Sequence, residues 1–159
     1  MEAPMRQDEL DIYFMREALR EADAASEAGE VPVGCVVVYG GEIIARGRNT
    51  RESEKNALGH AEIAAIDGAC RARGGWRLFG CTLYVTLEPC PMCAGALINS
   101  RVDRVVYGAK DAGAGALGSV MNMCSYPLGG RPEVVSGVLG DECADRMRRF
   151  FASRRQKRE

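Results

Sequence analysis

Apolar residues along the chain follow two patterns, a helical period of three to four residues and short β-branched runs between turns. The helical period predicts helices over 8–28, 60–73, 90–99 and 141–153. The β-branched runs predict strands over 33–39, 43–46, 82–86, 104–107 and 133–136. A short helix is also predicted over 117–123, after a glycine-rich stretch at 113–118 that has the composition of a mobile loop.

The alternation of helices and strands indicates a sheet covered by helices on both faces. In such sheets the functional site lies where strand ends meet helix beginnings. A length of 159 residues suits one domain, and a composition of 47% hydrophobic and 27% charged residues is ordinary for a soluble globular protein. We therefore expect a single domain over 1–159, with a basic C-terminal helix and tail at about 141–159.

The N-terminus and the cysteines bear on the compartment. Residues 1–9 contain no long apolar run, so no secretory signal is expected. No stretch approaches the roughly twenty apolar residues that span a bilayer, and no membrane partner is expected. The odd count of 7 cysteines does not suggest a disulfide framework. These features predict a cytoplasmic protein whose thiols stay reduced.

Charge is distributed unevenly, although the net charge is only −1. Acidic residues crowd the first thirty positions, whereas the C-terminus carries Arg146, Arg148, Arg149, Arg154, Arg155, Lys157 and Arg158. Such an asymmetry is typical of an RNA-facing edge, because phosphate contacts dominate affinity. A solvated helix end, whose cations complement the helix dipole, explains the tail equally well.

Two adjacent rings, Phe150 and Phe151, lie between Arg149 and Arg154. Adjacent side chains on a helix point about 100° apart, so one ring can pack inward while the other lies nearer the surface. Aromatic rings beside arginines suit stacking on the neighbours of a flipped base and holding its phosphates. These four are candidate RNA-binding residues. The alternative is that both rings anchor the closing helix to the sheet.

The candidate chemistry lies in two short motifs. The single histidine occurs in His60-Ala61-Glu62, and Cys90 and Cys93 follow about thirty residues later in Pro-Cys-Pro-Met-Cys. One imidazole and two thiolates can supply three ligands to a tetrahedral zinc, with water fourth. His60 and Glu62 are two apart and can converge on one pocket only from a helix tip, whereas the cysteines share a helix face. A helix beginning also lowers thiol pKa values.

Each motif has an ordinary alternative. A lone C-x-x-C occurs in structural zinc half-sites and redox pairs, and a lone histidine is more often a packed side chain than a ligand. Structural zinc sites use four protein ligands. The remaining cysteines form no second C-x-x-C: Cys35, Cys70, Cys81, Cys124 and Cys143. An open catalytic site with one Zn²⁺ per subunit fits better, with Glu62 as proton carrier. The motifs match the known H-x-E … P-C-x-x-C signature of zinc-dependent nucleobase deaminases.

Beyond this signature the chain resembles bacterial tRNA-specific adenosine deaminases, of the cytidine/deoxycytidylate deaminase superfamily, over nearly its whole length. The matching segments are 30–34, 47–49, 59–63, 83–96, 104–111, 115–119 and 137–143. The zinc motif is shared across the superfamily, whereas 108–111 and 142–143 point to the tRNA branch. One segment departs from the family: 126–130 reads Tyr-Pro-Leu-Gly-Gly where an aromatic-Asn-His segment is usual.

The resemblance implies a cytidine-deaminase-like α/β fold with three α/β/α layers and a five-stranded mixed sheet in which only the first strand runs against the others. It implies hydrolytic deamination of the wobble adenosine in a tRNA anticodon stem-loop to inosine, with release of ammonia. It also implies a homodimer whose interface helps to form the active sites. The substrate-binding positions that it implies are Val33, Asn49, Ala61, Pro89 and Asp111. An Asn or Asp in a loop is, however, more often a turn former.

Two other functions remain open. The same chemistry could act on a free nucleobase or nucleotide, of guanine, cytosine or dCMP type, and such a deaminase needs no basic tail. A non-catalytic zinc-binding subunit is the second alternative. Such a subunit would be expected to lose its glutamate, and Glu62 is present.

Overall fold

The computed structural model describes residues 3–158, with only the backbone of residue 158. Residues 1, 2 and 159 of the predicted domain lie outside this range. The helices are α1 (Gln7–Glu27), α2 (Ala61–Arg73), α3 (Pro91–Asn99) and α4 (Gly140–Arg158). The strands are β1 (Gly34–Tyr39), β2 (Glu42–Arg48), β3 (Cys81–Leu87), β4 (Arg104–Ala109) and β5 (Glu133–Ser136). A 3₁₀ helix covers Met123–Ser125.

The five strands form one mixed sheet in the order β2-β1-β3-β4-β5. β1 is antiparallel to both of its neighbours, β2 and β3, while β3, β4 and β5 are parallel to one another. β1 alone therefore runs against the other strands, which confirms the sheet implied by the family resemblance. β1 and β2 form a hairpin, with a register shift between Val37 and Val38.

Alternate residues of the central strands pack against opposite helical layers. In β1, Cys35 and Val37 belong to the core that includes residues of α2 and α3. Val36 and Val38 belong to the core that includes residues of α1 and α4. The period of two in a strand produces this division, and the continuous apolar run is what burial on both faces requires. The result is the expected three-layer α/β/α arrangement.

The predicted helix over 117–123 is wrong. Leu117 instead pairs with Asn122 in an isolated antiparallel bridge, and Gly118 has a φ of 138°. The backbone N–H groups of Leu117 and Ser119 donate to the buried carboxylate of Glu88, 3.1 Å away in each case. Because these donors are directed to a side chain, they are not available to a helical ladder. The predicted loop 113–118 belongs to the same non-helical segment, where the N–H of Gly115 donates to the carbonyl of Asp111 at 2.9 Å.

The closing helix is longer than predicted, since α4 continues past Ser153 to Arg158. Arginine, lysine and glutamine are good helix formers, so the polar tail extends the helix although it lacks an apolar stripe. Within residues 3–158, no helix combines the length and the apolar character needed to cross a membrane.

A buried carboxylate attaches α1 to the sheet. Asp11 accepts two hydrogen bonds from the guanidinium of Arg104, each 2.7 Å long, and one of 2.7 Å from the hydroxyl of Tyr84. Gln7 donates a further one of 2.9 Å. Burial by itself raises the pKa of Asp11, but these hydrogen bonds, Arg104 first, hold it below its ordinary value. One side chain thus joins α1, β3 and β4.

We expect Asp11→Asn to lower the free energy of unfolding by about 3 kcal/mol at pH 7, because Arg104 loses its buried partner. Folding lowers the pKa of Asp11, so its stabilisation is complete above the unfolded value of about 3.9 and is lost as the pH falls through the folded value. Urea unfolding at pH 7 and near pH 3 measures both effects. The exposed Asp8, which pairs with Arg6 at 3.4 Å, is the control, and Asp8→Asn should change stability by less than about 0.5 kcal/mol.

Candidate active site

Four strands bring their ends together at one edge of the sheet. β3 and β4 are parallel and end there, so the segment after β3 lies beside the segment after β4, with Glu88 N–H donating to the carbonyl of Ala109 at 2.8 Å. β1 begins at the same edge because it is antiparallel, and β2 ends there at Arg48. The alternation of strands and helices in the sequence predicted the functional site at this edge.

Both motifs occupy helix beginnings at this edge. His60 is the N-cap residue of α2 and Glu62 lies in its first turn. Cys90 is the N-cap residue of α3, and Cys93 lies one turn further on. Gly47 in β2 allows α2 to approach, since a Cβ atom there would lie 2.1 Å from the carbonyl oxygen of Ala61.

Three ligand atoms converge between the two helices. The Nδ1 atom of His60 lies 3.6 Å from Sγ of Cys90 and 3.4 Å from Sγ of Cys93. A nitrogen at ~2.1 Å and a sulfur at ~2.3 Å from a tetrahedral zinc lie about 3.6 Å apart. The measured separations agree with this value, so the three side chains fit zinc. This is the group of His60, Cys90 and Cys93 expected from the sequence, and all three ligand atoms lie within 4.8 Å of one another.

The electrostatics of the two cysteines also favour a cation. The hydrogen bond with Cys93, followed by that with His60, lowers the pKa of the Cys90 thiol to about 3. The pKa of the Cys93 thiol is raised, first by its contact with Cys90 and then by burial. The two sulfurs lie within 4.8 Å of each other, and two thiolates this close repel each other. A divalent cation between them is what allows both to ionise.

Glu62 lies beside the ligand cluster and is only 4% exposed. Burial raises the pKa of this carboxyl group to about 7. The imidazole of His60 lowers this pKa, whereas Cys90 raises it. A carboxyl group with a pKa near neutrality can both accept and release a proton, which is the property required of a general acid–base group.

These side chains open onto a cavity of about 270 Å³. Small-molecule pockets span roughly 300–1,000 Å³, so this cavity suits a ligand as small as one nucleobase. Four of the predicted substrate-binding residues line it together with His60, Glu62 and Cys90: Val33, Asn49, Ala61 and Asp111. Pro89, the fifth, is buried and is not among the lining residues. Its carbonyl oxygen accepts a hydrogen bond of 2.8 Å from the N–H of Ala116.

Two loops supply further polar residues of the cavity lining: loop A, residues 49–59, and loop B, residues 110–119. In loop A, Oδ1 of Asn49 accepts the N–H of Arg51 at 3.1 Å. In loop B, Oδ1 of Asp111 accepts the N–H groups of Gly113 and Ala114 at 3.0 and 3.2 Å. Both residues therefore form local turns, as the alternative interpretation predicted, and both also line the cavity.

The four candidate RNA-binding residues differ in whether they reach the cavity. Phe151 is 43% exposed and lines the cavity, and its ring contacts that of Phe150 edge-on at 5.4 Å. Arg154 donates to the carbonyl oxygen of Gly29, and its guanidinium carbon lies 4.9 Å from the ring centre of Phe150. Arg149 pairs with Asp145 at 2.9 Å. Phe151 is thus the one of the four that lines the cavity, whereas both arginines have partners within the chain.

Sequence reasoning missed several residues around the cavity. Arg51, Glu88 and Met147 line it. Glu30 and Glu88 are buried beneath loops A and B and bind their backbones. The signal that could have revealed Glu88 is a single carboxylate between an apolar strand and the cysteine motif. Arg51 and Met147 gave no signal, because nothing in a polar loop or a helix stripe marks the residue that faces a distant pocket.

The fold and the three-ligand cluster define a zinc-dependent deaminase domain. The family described as the cytidine and deoxycytidylate deaminase zinc-binding region matches residues 8–109, which include the three candidate ligands and Glu62. The match covers most of the sheet, from α1 to the end of β4.

The chain is 53% identical to the tRNA-specific adenosine deaminase of Bacillus subtilis (strain 168), over 98% of this chain and 95% of the relative. A structure from a study of A-to-I editing by tRNA:A34 deaminases at the wobble position superposes with a TM-score of 0.81, at 45% identity over 84% of this chain and 98% of that chain. A guanine deaminase from B. subtilis superposes with a TM-score of 0.61, at 37% identity over 67% and 66% of the two chains. The chain belongs to the tRNA-specific adenosine deaminase family.

We expect the purified protein to carry one zinc ion per chain and Cys93→Ala to lose most of it, because two ligands hold the ion far less well than three. Metal analysis after desalting measures the content. Cys70, which is half-buried and lies outside the ligand cluster, gives the control, and Cys70→Ala should keep its zinc. Full zinc retention by Cys93→Ala would exclude Cys93 as a ligand.

Proposed function

We propose that this chain hydrolyses the wobble adenosine of a tRNA anticodon to inosine and releases ammonia. The observation that carries the proposal is the position of Glu62, a buried carboxylate beside His60, Cys90 and Cys93 in a cavity that suits one nucleobase. Membership of the tRNA-specific adenosine deaminase family supports the choice of substrate.

Glu62 is the proposed catalytic residue. A zinc ion held by His60, Cys90 and Cys93 would make a water molecule available as a nucleophile at neutral pH. In the overall reaction a C–O bond forms at the amino-bearing carbon of adenine, the C–N bond breaks, and ammonia leaves. Glu62 accepts a proton from the water and gives it to the neighbouring ring nitrogen, and then takes the proton of the new hydroxyl group and delivers it to the leaving amine.

The adenine must leave the anticodon stack to enter the cavity. We infer that Val33 and Ala61 contact the base, since both line the cavity beside Glu62. Asn49 uses its side-chain oxygen within loop A, so its amide NH₂ group is the part directed to substrate. Asp111 uses Oδ1 within loop B, which leaves Oδ2 for a ribose hydroxyl. Pro89 acts indirectly, by holding loop B through its carbonyl group.

We also infer that the whole chain forms one deaminase domain that works in the cytoplasm as a homodimer. The support for a dimer is a set of large apolar side chains that are exposed in loop A or shortly after loop B: Leu58, Val120, Met121, Tyr126 and Leu128. Tyr126 and Leu128 belong to the segment that departs from the family sequence. Sedimentation at micromolar concentration should give the mass of two chains, and a monomer would contradict the inference.

A free purine is the second candidate substrate, and the similarity to a guanine deaminase favours it. The two candidates differ in what the surface must recognise, since a free base requires only the cavity. Phe151 and the basic α4 extend the site beyond the cavity mouth, which suits a polynucleotide.

We expect the wild-type protein to convert the wobble adenosine in total tRNA to inosine, and Glu62→Ala to be slower by at least 10⁴-fold with its zinc retained. Loss of general acid–base help costs 10²–10⁴-fold, and here one group serves several proton transfers. Sequencing of the treated tRNA measures the inosine. Glu62→Gln keeps the shape of the side chain and should be equally inactive. Deamination of free guanine, cytosine or dCMP without inosine in tRNA would replace the proposed substrate.

The double variant Arg155→Gln/Lys157→Gln should bind tRNA more weakly. The negative slope of log K against log salt should also become flatter, by about 1–2, because two phosphate contacts are lost. Substitution is preferable to truncation of the tail, since truncation also removes Arg154 and its hydrogen bond to Gly29. Arg71→Gln, on α2 away from the cavity lining, is the control for the loss of an exposed cation elsewhere. An unchanged slope would leave the tail as a solvated helix end.

A further inference from the structure

Loops A and B each rest on a buried glutamate that takes no part in the proposed proton transfers. Glu30 precedes β1 and is 1% exposed, and Glu88 follows β3 and is 2% exposed. A buried carboxylate is costly unless it is well hydrogen-bonded, so the partners of these two groups indicate what they do. In both cases the main partners are backbone N–H groups of a loop that lines the cavity.

Glu30 holds loop A. Its Oε1 atom accepts the N–H of Glu52 at 3.0 Å, and Oε2 accepts the N–H and the hydroxyl of Ser53 at 2.9 and 2.8 Å. Loop A carries Asn49 at one end and runs directly into His60. Without these hydrogen bonds, the N–H groups of Glu52 and Ser53 would have no fixed partner, and the loop would be free to shift relative to the sheet.

Glu88 holds loop B in the same way. Its Oε1 atom accepts the N–H of Asp111 at 3.1 Å and the hydroxyl of Ser119, and Oε2 accepts the N–H groups of Leu117 and Ser119. Both ends of loop B thus bind one carboxylate. Gly115 completes the arrangement, because a Cβ atom there would lie 2.4 Å from that carboxylate. The loop backbone can approach Glu88 only with glycine at this position.

We propose that Glu30 and Glu88 are positioning residues for the substrate: each fixes one of the two loops that present Asn49 and Asp111 to the flipped nucleotide. The inference rests on the proposed function for the identity of the substrate. The fixing of the loops stands on the hydrogen bonds alone. The two glutamates act through backbone geometry, and neither is among the zinc ligands or the proton carriers.

Replacement by glutamine tests this role while the size of the side chain stays the same. Glutamine keeps the shape of the side chain, but one oxygen becomes an NH₂ donor that faces other donors. We expect hydrogen exchange of the zinc-loaded protein to accelerate in residues 49–59 for Glu30→Gln and in residues 110–119 for Glu88→Gln, each without effect on the other loop. Mass spectrometry of peptic fragments measures both segments. Unchanged exchange in the matching loop would overturn the proposal.

Kinetics with an anticodon stem-loop RNA supply the second measurement. Both variants should raise KM about tenfold with kcat changed less than about threefold and one zinc per chain, because the loops contribute binding rather than proton transfer. Asp11→Asn is the matched control, since it also removes a buried carboxylate but lies outside the cavity lining. It should lose stability and keep its KM. A fall in kcat alone, or an equal rise in KM for Asp11→Asn, would contradict positioning.

Two milder variants keep the test decisive if glutamine at position 30 or 88 impairs folding or zinc binding. Ser53→Ala and Ser119→Ala each remove only the hydroxyl that donates to Glu30 or Glu88. Each should raise KM about threefold and accelerate exchange in its own loop only, and no change in either would overturn the proposal. Failure of the wild-type protein to act on the RNA would refute the proposed function instead, while the exchange measurements would still decide whether the loops are held.

Discussion

The approach of one imidazole nitrogen to two cysteine sulfurs, at 3.6 and 3.4 Å, is the constraint on which the rest of the site depends. It requires the beginnings of α2 and α3 to meet, and the sheet makes them meet. Because β1 is antiparallel to its neighbours, the hairpin returns the chain to the edge where β3 ends. Gly47 then lets α2 lie close enough to β2 for His60 to reach the cysteines.

Three carboxylates are buried at points where secondary-structure elements alone do not fix the chain. Asp11 fixes a helix to the sheet through a guanidinium, whereas Glu30 and Glu88 fix loops through backbone N–H groups. Burial raises the pKa values of Glu30 and Glu88, but hydrogen bonds hold both below the ordinary value. The strongest lowering effect comes from Ser53 for Glu30 and from Ser119 for Glu88. Loops are usually the most mobile parts of a protein, and here the two loops at the cavity are tied into the core.

The sequence allowed most of the sheet and the zinc cluster to be predicted, because both depend on local patterns. Strand 133–136 agrees with its predicted bounds, and the two motifs occur at helix beginnings as ligand geometry required. The conformation of 117–123 could not be predicted from local patterns, because the N–H groups of Leu117 and Ser119 bind Glu88, about thirty positions earlier. The role of Arg154 was hidden for the same reason, because its partner at Gly29 lies at the other end of the chain.

α4 follows all the candidate metal ligands in the sequence, and this order matters while the chain is being made. All three candidate ligands and Glu62 lie at or before residue 93, whereas Met147 and Phe151 of the cavity lining come later in the sequence, on α4. A growing chain therefore contains every group that binds the metal before the outer side of the cavity exists. Until α4 docks, the side of the cavity that Met147 and Phe151 line stays open.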